Sequence, residues 1–95
     1  MVSSSRRPRR ARAAPPGAAV ARTIGQAVRT QRKLLGLTQA TLARHAGVGL
    51  AFLYELETGK PTLRLDKLLA VLDVLGIRVT LDVGRGLRVA LPEER

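Results

Sequence analysis

The sequence predicts a mostly α-helical bundle of four to five helices, finished by a C-terminal β-strand or hairpin. Three observations carry that expectation. The 95-residue chain is 45% apolar but has only two aromatic residues, Phe52 and Tyr54, so leucine, valine and alanine must fill the core. Such a composition suits helix packing better than a β-sandwich. Gly36, Gly47, Gly59 and Gly76 each follow a run with helical apolar spacing. After Gly76 the apolar period falls to two, which is the mark of a strand with one covered face.

Residues 1–22 read as a disordered basic arm. They hold Arg6, Arg7, Arg9, Arg10, Arg12 and Arg22 with no acid, and Pro8, Pro15 and Pro16 break any periodic face. No apolar stretch follows the arginines, so an export signal is a poor match. Either a mobile arm that follows DNA phosphates or a solvated tail fits this composition.

Residues 23–76 read as the helical domain. Thr23 has the look of an N-cap, with Gln26 three positions on. Ile24, Ala27, Val28, Gln31, Leu34 and Leu35 then share one helical face, and Gly36 ends the run. Thr38 caps a short second helix with Leu42, Ala43 and Ala46 inward. Gly47-Val48-Gly49 turns the chain into a third helix marked by Phe52, Leu53 and Leu56, closing at Thr58-Gly59 before Pro61. Thr62 reads as the cap of a fourth helix with Leu65, Leu68, Leu69, Leu72 and Leu75 on its face. In residues 77–91, Ile77, Val79, Leu81 and Val83 alternate with polar residues. Gly84-Arg85-Gly86 can then turn the chain into Leu87, Val89 and Leu91. Residues 92–95 are a tail.

Two strands alone are marginal in water, and Ala70, Val71 and Val74 form a second apolar stripe on the fourth helix. Together they argue for a symmetric homodimer sealed by an intersubunit sheet, with Val71, Val74, Ile77, Val79, Leu81 and Val83 at the interface. The alternative is a hairpin that packs on the helices of its own chain.

Composition also excludes. Without cysteine there are no disulfides, thiolate metal sites or thiol nucleophiles. His45 alone builds neither a metal site nor a catalytic dyad. No apolar run reaches the ~18 residues of a membrane span. Gly47-Val48-Gly49 opens like a dinucleotide fingerprint but lacks the preceding strand, and Gly59-Lys60 lacks the upstream glycine of a phosphate loop. Glu55 and Glu57 lie two apart on a helix and face different ways. The expectation is a cytoplasmic, nucleoid-associated protein with no catalysis and no cofactor. The net charge of +10 points to a polyanion. Six of those charges lie in the arm, and the remaining +4 belongs to the rest of the chain.

Leu37 to Lys60 spells two short helices across a glycine turn, the geometry of a DNA-binding helix-turn-helix. Ala43 is small where the helices cross, Val48 plugs the space beneath the turn, and Leu53 and Leu56 set the crossing angle. Gly49, Leu50, Ala51, Tyr54 and Glu55 are left on the outer face of the second of these helices.

From Ile24 to Leu75 the chain resembles the Xre/Cro-type, lambda-repressor-like helix-turn-helix family. The markers are Arg29, Arg32 and Lys33, then Gly36-Leu37-Thr38-Gln39, Leu42-Ala43, Ala46-Gly47-Val48 and Leu56-Glu57-Thr58-Gly59-Lys60. Within it, Gly59-Lys60-Pro61-Thr62, the leucine-rich fourth helix and the terminal strand are most similar to HipB-type antitoxins. That resemblance implies a dimeric repressor of its own operon, bound to a pseudo-palindromic double-stranded operator and neutralising a HipA-like kinase toxin.

It also implies phosphate contacts from Arg29, Thr38, Gln39 and Lys60, with base reading by residues 49–51, 54 and 55. Arg32 fits either DNA or an internal salt bridge to Glu57. The reading face departs from the family, because it offers neither an arginine fork for guanine nor an amide fork for adenine. Specificity then leans on Leu50 or Ala51 against thymine methyls, Glu55 on cytosine, and DNA shape. A stand-alone regulator without a toxin partner, or an interaction module that has lost operator specificity, remains open.

Overall fold

The computed structural model describes residues 15–81 and the backbone of 82 and 86–90, and in it the predicted helical bundle is present. Helices α1 (Ala18–Leu34), α2 (Gln39–Ala46), α3 (Leu50–Thr58) and α4 (Leu65–Leu75) precede strands β1 (Arg78–Asp82) and β2 (Gly86–Ala90). Ile24 and Val28 of α1, Leu42 and Ala43 of α2, Leu53 and Leu56 of α3, and Val71, Leu72 and Leu75 of α4 meet in one core, with Ile77 below. Aliphatic side chains alone fill its fully buried centre, as the scarcity of aromatics requires.

Two helix starts differ from the sequence reading. Helix α1 begins at Ala18, so Ala18 to Arg22 of the expected arm are helical and Thr23 is interior. The Thr23 hydroxyl donates back to the Ala19 carbonyl at 3.1 Å, a bond any mid-helix threonine can make. An alanine run after Pro15-Pro16-Gly17 is a strong helix former following a breaker, and it outweighs the weak Thr23–Gln26 box. Helix α4 starts after Arg64, not Thr62. Arg64 reaches forward to Asp66, Nη2 to Oδ2 at 2.6 Å, and this hydrogen bond holds the Asp66 carboxyl below its usual range.

The buried faces of α1 and α4 are also rotated from expectation. Leu34 and Leu35 are exposed, while Gly25 and Arg32 join Ile24, Val28 and Gln31 on the buried side. On α4 the buried set is Val71, Leu72 and Leu75, with Leu68 half-buried, and Leu65 and Leu69 face solvent. With seven Leu and Val on eleven residues, several rotations of α4 look equally amphipathic in sequence.

Gly25 explains part of the rotation of α1. A Cβ there would collide with the Leu56 carbonyl oxygen and stand 3.1 Å from that of Glu57. Only a residue without a side chain lets α1 lie this close to the end of α3. Gln31 ties α1 to the end of α4, donating Nε2 to the unpaired carbonyl of Leu75 at 3.3 Å.

β1 and β2 pair antiparallel within the chain, with Arg78 opposite Ala90, Thr80 opposite Arg88 and Asp82 opposite Gly86. The C-terminal element is thus a hairpin. Val83, Leu91, residues 92–95 and the arm through residue 14 lie outside the described residues, as does most of the expected Gly84-Arg85-Gly86 turn. Among the described residues no helix is long and apolar enough to cross a membrane.

Candidate nucleic-acid interface

Helices α2 and α3 form the helix-turn-helix. Thr38 begins it in extended conformation, its Oγ1 accepting the Thr41 N–H at 3.0 Å. That cap satisfies one of the four N–H groups that a helix start leaves unpaired. At the other end Gly47 takes φ 72°, a left-handed backbone that costs glycine nothing. The chain then doubles back, with the Val48 N–H on the Ala43 carbonyl at 3.0 Å. Val48 is half-buried against the core and Ala43 is buried at the crossing, as the motif requires.

Behind α3 lies a polar bracket. Glu57 accepts Arg32 Nε at 2.7 Å on one carboxylate oxygen and Arg32 Nη2 at 3.0 Å on the other. Arg32 Nη1 also donates to the Leu37 carbonyl at 2.9 Å, tying the end of α1 to the approach to α2. The side chains keep only 10% and 4% of their exposure, so Arg32 is a structural ion pair and not a DNA contact. Hydrogen bonding by Glu57 holds the Arg32 guanidinium above its ordinary pKa despite partial burial. The same carboxylate accepts Gln39 Nε2 at 3.0 Å. One N–H of that amide is thus held by α3, leaving the other to point elsewhere. The sequence reading missed this tie, although Gln39 and Glu57 each stood out separately.

The start of α3 is turned to solvent. Leu50 keeps 53% of its exposure and Tyr54, one turn on, keeps 60%; Gly49 and Ala51 are exposed beside them. Glu55 is less open, and Lys60 Nζ stands 3.3 Å from its carboxylate. The proposed phosphate contacts flank this face, Thr38 and Gln39 at the start of α2 and Lys60 just past α3, while Arg29 is exposed on α1. Arg22 packs beside Lys60's neighbour: a Cβ on Gly59 would come within 2.9 Å of Arg22 Cγ. Phe52, on the flank of α3, carries Lys67 Nζ 6.0 Å above its ring centre.

The expected dimer residues divide. Val71 and Ile77 are buried in the core of their own chain, which corrects their assignment to an interface between subunits. They face inward because α4 is rotated and because Ile77 precedes β1, directly beneath Leu72 whose carbonyl accepts its N–H at 3.0 Å. Val79 is half-buried against that core, whereas Val74 is exposed and Leu81 retains 78% of its exposure.

A capped helix, a left-handed turn and an outward second helix flanked by amide and cation define a helix-turn-helix DNA-binding domain. A family model described as helix-turn-helix matches residues 28–81. In Sinorhizobium fredii (strain NBRC 101917 / NGR234), the uncharacterized HTH-type transcriptional regulator y4mF is 50% identical over 56 residues, covering 59% of this chain and 74% of that protein. The chain belongs to the Xre-type helix-turn-helix family.

Proposed function

We propose that the protein is a transcriptional repressor that binds a pseudo-palindromic operator as a homodimer and controls its own promoter in the cytoplasm. The carrying observation is the exposed front of α3 between Gln39 and Lys60. Strand β1, with Val79 half-buried and Leu81 almost bare, supports pairing of two chains through the C-terminal element. Two copies of α3 would then enter successive major grooves roughly 34 Å apart. Its HipB-like pattern from Gly59 through the leucine-rich α4 to the terminal strand supports the narrower role of an antitoxin that also restrains a HipA-like kinase.

The test is a gel shift on the chain's own promoter over a range of salt, repeated with the product of the neighbouring reading frame. The repressor reading expects binding that falls with salt, with a log–log slope of about −0.9 per phosphate contact. Salt-independent binding would remove the phosphate contacts from the account. A kinase-like neighbour that co-purifies and alters the shift would support the antitoxin role. A second reading, a regulator with no toxin partner, rests on the same helix-turn-helix and on the name of the Sinorhizobium relative, an HTH-type transcriptional regulator. A neighbour that neither binds nor shifts the complex selects it.

A further inference from the structure

The first turn of α3 carries no side-chain hydrogen-bonding group, and the Tyr54 hydroxyl lies a turn further on. Leu50 and Tyr54 stand one turn apart on the same side, more than half exposed, with Ala51 next to them. Gly49 contributes no side chain. The nearest charged group on that face, Glu55, has its carboxylate 3.3 Å from Lys60 Nζ. Further along the same stripe, seven residues past Leu50, Glu57 turns into the protein and holds Arg32 of α1 and Gln39 of α2, which fixes how the helix is presented.

In the major groove the base edges offer donors, acceptors and one apolar group, the C5-methyl of thymine. Leu50 pressed against a guanine or adenine edge would strip water from acceptors without replacing the lost bonds, which is costly. Against a thymine methyl it covers apolar surface on both partners. We infer that Leu50, supported by Ala51, reads thymine C5-methyl groups, and that each operator half-site carries thymine beneath the first turn of α3. The inference rests on the DNA-binding reading above and adds to it the chemical group that is read. Cytosine methylated at C5 would present the same group, so the source must be separated by experiment.

The test uses the full chain and a synthetic, unmethylated promoter duplex whose protected region has been mapped by footprinting. A second duplex replaces every thymine in that region by deoxyuridine, which removes the methyl and keeps the hydrogen-bonding edge. Wild-type affinity is expected to fall about fourfold for each methyl covered. Leu50→Ala, at an exposed position whose melting curve should match wild type, is expected to bind the thymine duplex more weakly and to lose most of the uracil penalty. An unchanged wild-type affinity for the uracil duplex overturns the inference and leaves promoter binding standing. So does an equal uracil penalty in Leu50→Ala, which would trace the effect to DNA shape. Binding that appears only after cytosine methylation overturns thymine as the source. A wild-type chain that binds no promoter duplex at all overturns the DNA-binding reading, and this inference with it.

Discussion

The inward and outward groups of α3 invert the usual placement of polar and apolar side chains. Inward, Glu57 brings a carboxylate to a guanidinium in the interior; outward, along the same stripe, the helix holds a leucine and a tyrosine in solvent. Folding explains the inward side. Glu57 holds Arg32 of α1, Arg32 holds the Leu37 carbonyl, and Glu57 also holds Gln39 of α2, so one carboxylate fixes three segments relative to α3. Folding does not explain the outward groups, since Leu50 and Tyr54 leave more than half of their surface in solvent. The comparison separates residues kept for presenting α3 from residues kept for what α3 meets.

Breaking the inward side should have the largest effect. Glu57→Ala leaves a buried guanidinium uncompensated and is expected to cost about 3–5 kcal/mol in chemical denaturation. The joint replacement Arg32→Met with Glu57→Leu should cost much less, because it removes both charges together. If the single and double variants were equally unstable, the bracket would be a matter of packing and not of charge. Gly25→Ala comes next, at about 1–3 kcal/mol, through the clash with the Leu56 carbonyl. In an open helix the same change would stabilise by up to ~1 kcal/mol, so its sign alone tests whether α1 and α3 touch there. Thr38→Ala follows at about 1 kcal/mol, through loss of the bond to the Thr41 N–H. A melting temperature unaffected by Thr38→Ala would show that water serves that N–H equally well.

These effects track how far each feature was legible in the sequence. The Thr38 cap, the Gly47 turn and the helix ends at Gly36, Gly59 and Gly76 are local chemistry, decided within a few residues, and they read directly. Rotation is decided between helices, and it did not read. Leu34 and Leu35 look like core, but the close approach at Gly25 turns α1 so that they face out. A glycine inside a helical run was the available signal. Val71 was assigned to an interface because the leucines of α4 already supplied a face, and Ile77 because it begins an alternating run; both fill the chain's own core. Arg32 and Glu57 were paired in sequence as one of two options, and the structure selects it. The tie from Glu57 to Gln39 arises only in the fold, since eighteen residues separate them and no pattern links an amide to that carboxylate.

The smallest effect on folding belongs to the outward side and is the sharpest check on the division. Lys60 and Glu55 form a pair 3.3 Å apart with each side chain 45% exposed. At that exposure the pair contributes between zero and ~1 kcal/mol, so Lys60→Ala should leave the denaturation midpoint nearly unchanged. Its effect should fall on DNA. Losing one phosphate contact takes about 0.9 from the log–log salt slope and weakens all sequences alike. Glu55→Ala should do the opposite, removing a negative charge from the face and releasing Lys60, so affinity for any duplex rises while discrimination changes. The two variants therefore separate charge from reading on one surface. A Lys60→Ala chain that loses stability but keeps its salt slope would place Lys60 with the inward residues, and the division drawn between buried and exposed groups would fail at that residue.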